Sequence, residues 1–251
     1  MKLKHTFLTA ALVTGAAMAD STLIYNDNNG NETSRIMLSD GLAKMTHNTE
    51  VKTALIFDAK GNRFTILDHE RKSYMVLGEK EIAALGNVAA MIDRMLEEQL
   101  AQMPAGQREQ MRGMMKSMIE KQMPKQTAMP TYEKVGQTQT LHGFTCEQVI
   151  QLVDGKKQSD FCVADHQALG VSDKEYQGIQ SFMKVAEKLA GQFGQNQSMN
   201  FASIGEVLPV QYQMDHDTGT LTNVNHNDLP AQTFQVPEGY TQQDLPKELF
   251  Q

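Results

Sequence analysis

The chain lacks the sequence patterns that usually mark catalysis. It contains no H-E-x-x-H, no G-x-S-x-G and no G-x-x-x-x-G-K-[ST] run, so nothing in it points to a zinc protease, a nucleophile elbow or a phosphate-cradling loop. The histidines beyond the first few residues, His47, His69, His142, His166, His216 and His226, are scattered. The one dense triplet, Asp215-His216-Asp217, runs into Thr218-Gly219 and reads as the polar tip of a hairpin. Carboxylates gathered only by folding leave no such trace, but the expectation is a protein that is not an enzyme and carries no cofactor. Basic residues are also scarce, at 23 Lys and Arg against 30 Asp and Glu, which argues against a nucleic-acid partner. No internal repeat and no Pro/Ser/Gly linker divides the sequence. Beyond residue 19 no apolar run approaches the roughly 20 residues that span a bilayer, because Arg94, Glu97 and Glu98 interrupt the longest helical stretch.

The first 19 residues differ from the rest. Lys2 and Lys4 precede an apolar run from Phe7 to Ala17, and Ala17-Met18-Ala19 supplies a small-x-small cleavage signal before Asp20. This is the pattern of a secretory signal peptide, and it predicts export to the periplasm with a mature chain that starts at Asp20. No cysteine follows the cleavage point, so a lipid-anchored form is not expected. Without Lys2 and Lys4 the 23 basic residues fall to 21, and the formal charge goes from -7 to -9. Residues 20–251 fit one domain in length.

Cysteine is limited to Cys146 and Cys162. The flanking segments GFTCEQVIQLV and KQSDFCVA read as strands folded about Asp154-Gly155, which places the cysteines opposite or nearly opposite each other. In an oxidising compartment this predicts a disulfide, worth roughly 3 kcal/mol for a closed loop of about 15 residues. A redox or metal-binding pair has neither C-x-x-C spacing nor neighbouring ligands in its favour.

Six short strands are predicted from Ser21 to Gly78, separated by turn clusters at Asn28-Asn29-Gly30-Asn31, Ser39-Asp40-Gly41 and Ala59-Lys60-Gly61-Asn62. Arg63, Thr65 and Leu67 alternate with Phe64, Ile66 and Asp68, so the expectation is a meander with one wet face and one core face. A helical insertion follows. The first helix, about Glu79 to Gln102, gathers Ile82, Leu85, Val88, Ile92, Met95 and Leu96 on one side. Met103-Pro104-Ala105-Gly106 breaks it, and Pro104 starts a second helix that runs to Met123 before Pro124. This hairpin, residues 79–123, is expected to lie on the apolar face of the sheet. Strands resume after Pro130, a third helix is predicted from Asp173 to Gln192, and the final strands lie around VLPVQYQMD and TLTNVNHN.

What is abundant is methionine. Nine of the 17 fall between Met91 and Met129. Met111, Met114, Met115 and Met118 recur at i, i+3, i+4 and i+7, so they share one helix face, opposite Arg112, Lys116 and Glu120. Burying four such side chains would contribute on the order of 6 to 12 kcal/mol at roughly 1.5 to 3 kcal/mol each, so something is expected to cover them. Three readings remain open: an ordinary core face, a surface for an apolar ligand or partner, and soft-metal binding by thioethers, with Cu(I) the natural ion. Met91, Met95, Met111, Met114, Met115 and Met118 are the candidate ligand-binding residues. The hydrophobic ligand could be a lipid acyl chain or an apolar peptide segment; a purely structural, partner-binding role is the remaining alternative.

The order of elements carries a resemblance. A turn D-H-x-x-K-x-Y (Asp68, His69, Lys72, Tyr74) closes the meander, a Met/Gln-rich helical hairpin follows, then G-F-x-C (Gly143, Phe144, Cys146), V-A-D (Val163 to Asp165) and a terminal F-x-V-P-x-G-Y (Phe234 to Tyr240). It resembles an uncharacterised family of exported bacterial proteins that looks related in fold to the lipoprotein carriers LolA and LolB, the lipid carrier LppX and the sensor RseB. The resemblance implies an α+β fold, an open antiparallel half-barrel of the LolA type with the methionine hairpin and a further helix on its concave face. It also implies a carrier or envelope sensor that binds an apolar ligand without chemical turnover.

Overall fold

The computed structural model describes residues 20–47, 52–85, 88–101, 103–122, 129–192, 199–214 and 217–244. The signal-like segment and the Asp215-His216 pair lie outside them. The strands are β1 (Ser21–Asn26), β2 (Glu32–Ser39), β3 (Leu42–His47), β4 (Thr53–Asp58), β5 (Arg63–Asp68), β6 (Ser73–Leu77), β7 (Thr131–Leu141), β8 (Phe144–Val153), β9 (Lys156–Asp165), β10 (Val207–Met214), β11 (Asp217–Asn225) and β12 (Thr241–Gln242). The helices are α1 (Glu79–Leu85), α2 (Val88–Leu100), α3 (Ala105–Gln122) and α4 (Asp173–Gln192).

Turn chemistry sets the strand pairs. Ser39 pairs with Leu42 across Asp40-Gly41, whose φ angles of 32° and 84° give the two-residue turn that matches strand twist. The same geometry recurs at His142-Gly143 and Asp154-Gly155. The twelve strands form one sheet in the order β12-β6-β5-β4-β3-β2-β1-β11-β10-β9-β8-β7. Every neighbour pair is antiparallel except β12 on β6.

This overturns the expected fold class. The half-barrel capped by the methionine hairpin is replaced by a single broad sheet, open at β7 and β12, because the free edge of β1 takes β11 as its partner and fuses the meander with the later strands. Alternation along a strand specifies its two faces and leaves its edge partner open. The helix on the apolar face is α4, which lies across β2, β3 and β4. A capping box starts it: Ser172 donates its N–H and hydroxyl to Glu175 Oε2 at 2.8 and 2.7 Å. Its buried Tyr176, Ile179 and Phe182 then point at the sheet, and Phe182 meets Phe57 and Phe64 with centroids 6.0 and 5.6 Å away.

The core continues under β7 to β10, where Tyr132, Phe161 and Phe201 pack mutually edge-on. Cys146 and Cys162 lie buried in this core and form the disulfide, with Cα atoms 5.4 Å apart. Cys162 faces Gln148 across the ladder, so the bridge runs diagonally.

The face of the meander expected to be wet is partly dry. Ala54, Ile56 and Leu67 are buried there beneath Phe234 and Val236. The closing segment after Asn225 thus acts as a strap. Asp20 accepts the Leu229 N–H at 2.7 Å at one end; at the other, Tyr240 and His69 are hydrogen-bonded at 2.6 Å and β12 pairs with β6.

Candidate ligand-binding surface

The insertion is built outward from the sheet. Helix α1 touches β6 and α4, α2 touches α1, and α3 packs on α2. The first helix, expected over residues 79–102, is described as α1 (Glu79–Leu85) and α2 (Val88–Leu100), and the two residues between them lie outside the described ones. The turn into α3 follows the sequence. The Pro104 carbonyl accepts the N–H groups of Gln107 and Arg108, and the Arg108 guanidinium donates to the carbonyls of Met103 and Ala101 at 2.6 and 2.8 Å. It satisfies acceptors that the end of α2 would otherwise leave open.

The two helices are then zipped by ion pairs. Arg112 meets Glu97 at 2.8 Å and Lys116 meets Asp93 at 3.0 Å. Leu96 and Leu100 of α2 are buried. Arg108, Arg112 and Lys116, at i, i+4 and i+8, therefore form the face of α3 that points to α2. This inverts the expectation that the methionine stripe is the covered face. Met111 and Met115 are half-buried along one margin, while Met114 and Met118 remain 55% and 57% exposed. Met91 and Met95 lie on α2, and their side chains fall outside what is described. Met129 and Val135, near the start of β7, are also exposed.

Among the described residues, the space between α4 and the sheet is nearly filled. The void enclosed by Ile36, Ala43, Met45, Leu55, Ile179 and Phe182 is about 10 Å³, room for about one water and none for an acyl chain. A larger cleft of about 410 Å³ opens beside the Asp40-Gly41 turn, and Asp40, Lys60, Lys174, Gln177 and Ser181 line it together with Ala59 and two glycines. There the Lys60 ammonium, hydrogen-bonded at 3.0 Å, and then Lys174 hold the exposed Asp40 carboxyl below its ordinary value. Inside the sheet, burial raises the phenol of Tyr25, with Tyr212 adding to the shift; the Tyr25 hydroxyl donates to the Pro209 carbonyl at 2.8 Å.

Folding also assembles one group that the sequence did not disclose. His166 is fully buried and stacked on Tyr176 at 4.5 Å, and its Nδ1–H donates to the Val171 carbonyl. Its Nε2 faces Asp173 and Glu206 at 3.6 and 3.7 Å. Asp165-His166 ends a strand and Ser172-Glu175 starts a helix, so the sequence shows two local signals and not their meeting. Among the described residues no group of three or more His, Cys, Asp or Glu is arranged to hold a metal ion, and no helix is long and apolar enough to cross a membrane.

The fold and this surface define a disulfide-stapled β-sheet protein with a projecting, methionine-edged helical hairpin. Residues 89–240 match the family model described as a domain of unknown function, DUF4412; the match covers more than half of the chain, and the protein belongs to that family. The matched region opens in α2 and closes at Tyr240, taking in the hairpin, the disulfide, α4 and most of the strap. No curated protein matches the chain.

Proposed function

We propose that this is an exported, periplasmic protein that binds an apolar ligand, an acyl chain or an apolar peptide segment, along the outer edge of α3 without chemical turnover. The observation that carries the reading is that Met114 and Met118 stand more than half exposed on the side of α3 turned away from α2. A solvated helix edge has no packing reason to be apolar, and methionine suits a surface that must adapt to varied apolar shapes. The signal-like first 19 residues and the Cys146–Cys162 disulfide support export. The filled interface under α4 favours an occupant laid along the helix over one enclosed by the sheet.

Paired substitutions test this. Met114→Leu with Met118→Leu keeps the edge apolar and preserves binding of an apolar fluorescent probe and of mixed phospholipid vesicles. Met114→Gln with Met118→Gln removes about 1 kcal/mol of burial per side chain, roughly half its full value, and weakens binding about 10- to 30-fold. Equal binding by the Gln pair and the native protein would overturn the reading.

A further inference from the structure

Beyond its adaptability, methionine differs from leucine, its equal in helix propensity, in carrying a thioether sulfur. At 100° per residue Met111, Met118 and Met114 fall within an arc of about 60° on α3, and Met115 lies beyond that arc on the side toward α2. In rise, Met114 stands about 4.5 Å from Met111 and about 6 Å from Met118. Neighbouring Gln107, Gln110 and Ser117 are neutral and exposed. The cations Arg112 and Lys116 are turned to α2 and neutralised by Glu97 and Asp93. The outer edge therefore presents three thioethers with neutral Gln107, Gln110 and Ser117 around them, no carboxylate on the same side, and Lys121 one turn beyond Met118.

We propose that Met111, Met114 and Met118 bind one Cu(I) ion. Thioethers are soft donors that select Cu(I) over hard or borderline divalent ions. They need no deprotonation, so the site holds its ion in acid where imidazole and thiolate sites release theirs. Each methionine has three rotatable bonds beyond the backbone, enough for the outer pair to lean toward Met114, and Met114 and Met118 are already more than half exposed. The single positive charge of Cu(I) is spread over neutral sulfurs on a helix edge without competing carboxylates. The ion enters and leaves as Cu(I), so no redox step is involved. This proposal stands apart from apolar binding, although it uses the same edge.

The test is an anaerobic titration of the oxidised, disulfide-intact protein with Cu(I) against a chromophoric Cu(I) chelator, at pH 7 and pH 5, with Zn2+ in parallel and stoichiometry read by native mass spectrometry. The native protein takes one Cu(I) per chain at both pH values and no Zn2+ at the same concentration. Met114→Leu with Met118→Leu loses at least tenfold in Cu(I) affinity with an unchanged thermal midpoint, while still binding the apolar probe. Met129→Leu, which removes an exposed methionine outside α3, leaves Cu(I) affinity unchanged. Native affinity no greater than that of the double Leu variant, or loss of the site in Met129→Leu, would overturn the proposal. Neither result bears on the apolar reading, which the Gln pair tests separately.

Discussion

The α4 face of the sheet and the α2–α3 hairpin bury their apolar residues in different ways. In the core of the sheet, rigid aromatics interlock: Phe57, Phe64 and Phe182 form one triangle under α4, and Tyr132, Phe161 and Phe201 another under β7 to β10, with the disulfide in the same core. Among its described residues the hairpin is held by the buried Leu96 and Leu100, the ion pairs of Arg112 and Lys116 and the Arg108 guanidinium on the turn, and it carries flexible methionines on its outer edge. The first arrangement specifies a single packing. The second shows fewer buried apolar residues among those described, the physical mark of segments that open locally. On the proposed function, stability and recognition belong to different parts of one chain.

The largest expected effect breaks the aromatic side of this comparison. Phe182→Ala removes the ring that ties α4 to β4 and β5, and should cost about 3 to 5 kcal/mol in chemical denaturation, with one cooperative transition shifted as a whole. Replacing Cys146 and Cys162 together by alanine should cost roughly 3 kcal/mol, for the 15 residues closed between them. Both variants should bind the apolar probe with native affinity under conditions where they stay folded, because neither touches the hairpin. A loss of probe binding in folded Phe182→Ala protein would mean that the two regions are coupled.

Much of the α4 side was legible in the sequence. Asp-Gly turns fixed the hairpins, the helix expected from Asp173 to Gln192 has those bounds, and the cysteines meet as the turn at Asp154-Gly155 requires. The failures concern partners at long range. Leu67 sits on the face read as wet, and only the strap returning with Phe234 and Val236 makes that position dry. The pairing of β1 with β11 joins residues some 200 positions apart, and no local pattern encodes it. On α3, the 3.6-residue period shows which residues share a face but leaves open which face packs. Arg112 and Lys116 decided that by finding Glu97 and Asp93 on α2, so the apolar stripe expected to be covered is turned outward.

The smallest expected effect sharpens the comparison from the hairpin side. Asp93→Asn with Glu97→Gln removes both ion pairs between α2 and α3. Each pair is about half exposed, so together they contribute at most about 1 to 2 kcal/mol, and salt weakens them further. If the hairpin opens by itself, the thermal midpoint of the sheet stays within a degree or two while amide exchange along α3 accelerates by up to about tenfold. Amides of β8 and β9 beside the disulfide should exchange at their native rate. A midpoint that falls together with faster exchange in β8 and β9 would place the hairpin in the same cooperative unit as the aromatic core. Methionine on its edge would then have to be explained without local opening, by the chemistry of its sulfur alone.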